Sequence, residues 1–244
     1  MVLQRLRRFY LDILVLLLVT TSLAQDYHAV PSTVVCADSE NFVMLTVEDG
    51  QSKVFTKSRS AVLTKPVTIS AEYKANANLL FSSGLKVRLE AETSLVVWTA
   101  EQDVAIEADG TVRVADDETL GSVLNLKLEK GKARFFLPAP PNQAGSFTLQ
   151  TDHAEIEVHA TSFSVEIAVF GFTKVRCYDG YLLVTMKNGK VERIENEEVS
   201  IHGENGANET MLRSVQTPEA VYTWPTDTLP TFRYDAKTKT FVVR

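Results

Sequence analysis

Between Phe147 and Ile167 the apolar side chains change parity twice. They are odd-numbered at Phe147 and Leu149, even at Ala154, Ile156 and Val158, and odd again at Phe163, Val165 and Ile167. Successive residues of a strand point to opposite faces, so a strand that keeps its register cannot move its apolar set across the sheet. Each switch needs an inserted or turned residue, which predicts corners at Thr151-Asp152-His153 and at Ala160-Thr161-Ser162. Corners of this kind suit a sandwich, a roll or a stacked solenoid rather than a flat sheet.

Period-two alternation recurs along the chain: Ile69, Ala71 and Tyr73; Leu85, Val87 and Leu89; Leu124, Leu126 and Leu128; Ala133, Phe135 and Leu137. Each set predicts one buried strand face. Asp49-Gly50, Ser83-Gly84, Asp109-Gly110, Lys130-Gly131, Asp179-Gly180, Asn188-Gly189 and His202-Gly203 lie between such runs, where glycine permits the positive φ of tight turns. The expected fold is all-β, a single domain of many short strands with tight turns. Pro138, Pro140 and Pro141 remove backbone donors and predict a projecting loop through Gly145. Beyond Gly206 the texture changes. Asn208 is expected to cap a short helix to about Ser214, and Pro218, Pro225 and Pro230 punctuate a C-terminal extension whose Thr240–Val243 end is a candidate edge strand.

Arg5, Arg7 and Arg8 precede an apolar run from Ile13 to Val19 that ends in Ser22-Leu23-Ala24, which predicts a secretory signal cleaved before Gln25. Asp12 interrupts that run, which falls short of the ~20 apolar residues of a membrane span. The expected organisation is a signal peptide over 1–24, a lead over 25–41, a β-domain over 42–205 and an extension over 206–244, exported to the periplasm or the extracellular space. Losing residues 1–24 removes three arginines and one aspartate and moves the net charge from −6 to −8. Such acidity argues against sequence-independent nucleic-acid binding and against docking on anionic lipid through a basic patch. In an oxidising compartment Cys36 and Cys177 are candidates for a disulfide, whose long loop would contribute about 4–5 kcal/mol. Two buried thiols are the alternative, since Val175 and Cys177 share one strand face.

The run F-T-L-Q-T-D-H-A-E-I-E-V-H-A-T-S-F-S-V from Phe147 to Val165 resembles the core phrase F-x-V-x-T-x-x-A-x-V-x-V-x-G-T-x-F-x-V of FecR-like periplasmic domains. Leu80–Leu89, Leu126–Ala133 and Thr173–Val184 resemble the family's flanking strands, so the likeness covers about residues 42–203. It implies structural roles for Thr151, Ala160, Thr161, Phe163 and Gly180. Ala160 stands where the family usually has glycine, so the turn there either avoids positive φ or carries strain. Family members that relay iron-uptake signals carry a cytoplasmic anti-sigma segment and a transmembrane helix ahead of this domain. Here a signal peptide is expected in that place. The resemblance therefore implies an exported, non-enzymatic domain without a cofactor, acting by protein–protein interaction in envelope sensing or scaffolding. Its partner would be an envelope protein of receptor, secretin or regulator type, met at exposed strand edges.

Other chemistry is weaker. His153, Glu155, Glu157 and His159 share one strand face, but neighbours there are ~7 Å apart, so one ion could take only a pair, and a solvated polar face is expected. Asp116-Asp117-Glu118 lacks the D-x-D-x-D-G spacing of a calcium loop. No G-x-S-x-G elbow, H-E-x-x-H pair, P-loop or dinucleotide turn occurs, so no enzyme is expected. Trp98 and Trp224 with Tyr178 and Tyr181 are the candidate aromatic platform for a sugar, which makes a carbohydrate-binding or structural envelope module the alternative. Asn208-Glu209-Thr210 has the form of a glycosylation sequon, relevant only in a eukaryotic secretory pathway.

Overall fold

A computed structural model describes residues 26–47, 50–106, 112–114, 121–138, 145–168, 171–202, 210–214 and 230–244. Among them there are strands and no helix. The first are β1 (Asp26–Pro31), β2 (Thr33–Glu40), β3 (Val43–Val47), β4 (Ser52–Val54), β5 (Ser60–Val62), β6 (Val67–Ala71), β7 (Asn76–Phe81) and β8 (Lys86–Leu89). The middle holds β9 (Thr93–Ile106), β10 (Val112–Val114), β11 (Ser122–Phe136), β12 (Ser146–Gln150), β13 (Ala154–Ile167) and β14 (Thr173–Met186). β15 (Val191–Ile194), β16 (Glu198–His202), β17 (Thr210–Ser214) and a hairpin of β18 (Phe232–Asp235) and β19 (Thr240–Val243) complete the set.

Pairing sorts most of the strands into two layers, and β1 and β10 pair with the second half of β9 outside both orders. One has the order β4-β3-β6-β9-β11-β12-β13-β14-β15, the other β5-β2-β7-β8-β11-β13-β14-β16-β17. β11, β13 and β14 belong to both, because each runs through one layer, bends, and continues in the other. Neighbours are antiparallel except β11 and β12, and because β11, β12 and β13 pair with one another in turn, the sheet closes on itself.

The bends have one cause. β11 buries Leu124, Leu126 and Leu128 before its bend and Ala133 and Phe135 after it; β13 buries Ala154, Ile156, Val158 and Ala160, then Phe163 and Val165; β14 buries Val175 and Cys177, then Leu182, Val184 and Met186. β9 does the same, with Leu95 and Val97 followed by Ala100, Gln102 and Val104 around Trp98. Every long strand thus switches parity once, and the register shifts at the switch in each of β9, β11, β13 and β14, where a bulge inserts the extra residue that keeps apolar side chains inward.

Two corners require glycine. Gly180 has φ +87°, and a Cβ there would lie 2.6 Å from the Ala160 Cα and 2.7 Å from the His159 carbonyl oxygen. Ala160 itself is not in the left-handed region; that conformation falls to Gly180, its partner across the β13–β14 pair. Gly131 has φ +79°, and its Cβ would meet the Thr93 Cα at 2.6 Å. Thr93 fills the corner, donating its hydroxyl to the Lys132 carbonyl (3.1 Å) and accepting the Lys132 N–H (3.0 Å).

Phe135, Phe147 and Phe163, one each from β11, β12 and β13, fill the centre of the closed part. Their ring centroids are 4.7 Å apart for Phe135–Phe163 and 5.8 Å for the other two pairs. Truncating such a ring to alanine costs about 3–5 kcal/mol. A row of register partners, Cys36, Leu79, Val87, Phe135, Phe163 and Cys177, crosses the second layer with every member fully buried. The C-terminal hairpin docks separately: Phe241 packs on Val30 and Val104, and the Thr33 hydroxyl donates to the Phe241 carbonyl at 2.7 Å.

The structure corrects several local expectations. Lys130-Gly131 and Asp179-Gly180 are corners inside β11 and β14, so Leu124–Leu128 and Ala133–Phe136 belong to one bent strand rather than a hairpin, and Leu137 follows its end. Gly50, Gly84 and Gly189 do sit in tight turns, their N–H groups donating to Val47, Phe81 and Met186 carbonyls at 2.8, 2.9 and 2.9 Å. Tyr73 lies past the end of β6 and is exposed. Thr210–Ser214 is an edge strand on β16 instead of a helix, because cross-strand pairing and the contact of Met211 with the core override local propensity. Thr240–Val243 is a strand, paired with β18. The signal segment, Asp109-Gly110, residues 139–144, Gly203, Asn208, Pro218 and Pro225 lie outside the described residues.

Gly180→Ala is expected to destabilise the fold by about 2–4 kcal/mol, from left-handed strain plus backbone overlap. Gly189→Ala, at φ +80° with open space around it, should cost only about 1–2 kcal/mol. Urea unfolding of the two variants measures the difference.

Candidate functional site

Four strands end the two layers: β4 and β15 the first, β5 and β17 the second. Each presents one exposed apolar side chain, Val54, Val191, Val62 and Leu212 respectively. Edge strands leave a row of backbone N–H and C=O groups without a neighbour, which is how a sheet accepts a further strand.

The two ends differ in their electrostatics. At the β15–β17 end, Arg213 of β17 bridges Glu192 of β15 at 2.8 Å and also pairs with Glu197, while Lys190 reaches Glu192 at 2.7 Å. The Glu197 and Glu192 carboxylates hold the Arg213 guanidinium above its ordinary pKa, and Lys190 and Arg213 hold the Glu192 carboxyl below its own. This end is tied across the two layers. At the β4–β5 end no such tie exists among the described residues. Residues 51–67 hold Lys53, Lys57, Arg59 and Lys65 and no carboxylate, in a chain of net charge −6. This basic segment is the feature that pattern reading passed over, and charge counting along the sequence finds it.

The residues implied by the family phrase all sit at corners. Thr151 closes the β12–β13 bend: its hydroxyl accepts the His153 and Ala154 N–H groups at 3.2 and 3.0 Å and donates to the Ala154 carbonyl at 3.2 Å. Thr161 is the extra residue of the β13 bulge, and its hydroxyl donates to the Asp179 carboxylate across the corner. Ala160 and Gly180 face each other there, and Phe163 begins the second half of the strand in the core.

Cys36 and Cys177 are both buried, free thiols. They stand at opposite ends of the six-residue row, five strand spacings apart, or roughly 24 Å along the sheet. A disulfide needs Cα atoms about 4–7 Å apart, so of the two alternatives the structure has the thiols. Burial pushes the Cys36 thiol up to about 11 and raises that of Cys177.

The polar face of β13 is satisfied locally. His159 pairs with Glu157 at 2.7 Å and stacks on Tyr181 at 4.7 Å, with the Arg193 guanidinium 3.8 Å over the same ring. Glu155 accepts from Gln150 at 3.2 Å, and His153, in the bend rather than the strand, meets Thr173 at 2.9 Å. Among the described residues no three His, Cys, Asp or Glu side chains gather as metal ligands. Among the described residues the aromatic platform is not assembled. Trp98 is partly exposed at the β9 bulge, Tyr181 lies on another strand beneath Arg193, and Tyr178 lies in the second-layer half of β14 against Ser164 (3.1 Å) and Arg176. Trp224 and Asp116 to Glu118 lie outside the described residues. No helix among the described residues is long and apolar enough to cross a membrane.

The family model described as FecR protein matches residues 67–183, from the start of β6 into β14. That segment is therefore similar to a FecR domain, and it contains every corner described above. Two solved chains from Parabacteroides distasonis ATCC 8503, each described as a candidate anti-sigma factor, resemble this one at 20% and 19% identity with TM-scores of 0.45 and 0.42. The alignments cover 62% and 61% of this chain and 60% and 59% of theirs, so this chain spans about three fifths of each. No curated protein matches the chain.

Both thiols should resist alkylation in the native protein and react together on unfolding, which mass spectrometry after iodoacetamide would show. Because the folded Cys36 pKa is raised, the thiol is protonated and its burial fully stabilising below its ordinary value of 9.0, and that contribution is lost as pH rises towards about 11. Cys36→Ala should flatten the decline of stability over this window, read as urea midpoints from pH 8 upwards.

Proposed function

We propose that this chain is an exported, non-enzymatic envelope protein whose β-domain, over about residues 42–205, works by docking with another protein in sensing or scaffolding. The observation that carries this reading is the set of open strand edges, each with an exposed apolar residue: Val54, Val62, Val191 and Leu212. Backbone at an edge supplies affinity through added ladder bonds, while alternate side chains supply specificity. The similarity to a FecR domain supports the same class of role, and the conspicuous residues of the matched segment are spent on building corners rather than on arranging reactive groups. The partner is an envelope protein of receptor, secretin or regulator type.

A photo-crosslinking residue placed in turn at Val54, Val62, Val191 and Leu212 of the full chain, in its native cell, tests the reading. At least one edge should give a discrete adduct with one envelope protein, and the exposed turn position Tyr73 should not. Edges that give no adduct, together with glycan binding that is lost in Trp98→Ala, would replace docking by the carbohydrate reading.

A further inference from the structure

We infer that the gap between β4 and β5 is a docking groove for an extended, acidic strand of a partner protein; this rests on the docking role proposed above and says which edges are used and by what chemistry. β4 ends one layer and β5 the other, and only residues 55–59 join them, so the two edges border the open side of the roll. A groove of about 350 Å³ lies there, within the size range of specific binding pockets.

Its floor is apolar. Leu45, Val47 and Val67, which belong to the inner face of the first layer, line it together with Val54 and Val62 of the two edges. Its walls are backbone. On β4, the Gln51 carbonyl accepts from Val47 and the Phe55 N–H donates to Val43, so by strand alternation the groups of Ser52 and Val54 point away from β3. On β5, the Arg59 carbonyl accepts from Cys36 and the Leu63 N–H donates to Ser32, so those of Ser60 and Val62 point away from β2. Each wall therefore offers a short ladder to an incoming strand.

The rim sets the charge of the occupant. Lys53, Arg59 and Lys65 line the groove and have no ion-pair partner among the described residues, whereas the neighbouring Lys57 is already held by Asp38 at 3.4 Å. Unpaired cations concentrated in one place on an acidic protein attract a negatively charged segment and repel a basic one. The opposite end of the roll, where Arg213, Lys190, Glu192 and Glu197 neutralise one another, offers no such field. A strand that alternates apolar and acidic residues satisfies floor, walls and rim together. Apart from Val67 on the floor, the residues that line the groove lie N-terminal to the FecR match at 67–183, so its edges and its charged rim distinguish this chain's partner from whatever the matched segment itself meets.

The test uses the full chain and a seven-residue synthetic peptide alternating valine with glutamate, against the same peptide with lysine for glutamate and a third with a central proline. Only the valine–glutamate peptide should bind by fluorescence anisotropy, more weakly as salt rises. Lys53→Glu combined with Lys65→Glu should weaken it by about tenfold or more. Val54→Pro, which removes an outward N–H and leaves the β3 pairing intact, should weaken it comparably, with unchanged urea unfolding showing that each variant is folded. Equal binding of the lysine peptide, absence of binding by all three, or binding indifferent to Val54→Pro overturns the proposal. Crosslinks in the cell at Val191 or Leu212 but not at Val54 or Val62 would overturn the groove and leave docking standing; adducts at no edge would overturn both.

Discussion

A strand can keep only every second side chain in a core, and this period-two rule is the constraint on which the rest of the molecule depends. β11, β13 and β14 each run through both layers and β9 runs on past its layer to pair with β1, so each must bend, and a bend without an inserted residue would turn Phe135, Phe163 or Leu182 out to water. The bulges at Trp98 in β9, around Glu129 in β11, at Thr161 in β13 and at Tyr178 in β14 solve this four times over, with glycine at the Gly131 and Gly180 corners. Once they are in place the three phenylalanines meet, the row from Cys36 to Cys177 comes into register, and the sheet closes through β11, β12 and β13. The residues of the family phrase are then explained as corner chemistry: a hydroxyl at Thr151, a bulge at Thr161, and the opposed pair Ala160 and Gly180.

Much of this was legible in the sequence, for identifiable reasons. The switch in β13 could be read because Ala154, Ile156 and Val158 stand cleanly against Phe163 and Val165, with no glycine to suggest a different explanation. The equivalent corners in β11 and β14 look like tight turns in the sequence, since Lys130-Gly131 and Asp179-Gly180 offer the same positive φ that a hairpin turn uses. Local chemistry states that the backbone turns left-handed; it does not state whether the chain reverses or crosses to the other layer. Thr210–Ser214 carries no strand signal for a related cause, because an edge strand with little burial has no clear alternation and its state is decided by β16. The separation of the two cysteines depends on strand order, which no spacing in the sequence encodes.

The candidate site was the less legible part. A docking edge consists of backbone groups that every residue carries, so Ser52, Val54, Ser60 and Val62 become notable only when pairing shows which strands end a layer. What the sequence did contain was the unbalanced charge of residues 51–67, and its meaning appears when the two ends of the roll are compared. One end is tied by Arg213 and its carboxylates; the other stays open over apolar floor residues with unpaired cations at the rim. The layer switching thus has a functional consequence: bent strands build a closed middle and leave the free edges at two ends of opposite character.

The central claim is that β13 and β14 are continuous strands that change layer, and cross-strand proton–proton contacts measured by NMR on the folded protein test it most directly. The structure predicts that Ile156 meets Val184 and Val165 meets Val175 in the same molecule, with Ala160 opposite Gly180 and Phe163 opposite Cys177. Contacts between Cys177 and Leu182, as a hairpin at Asp179-Gly180 would produce, would contradict it.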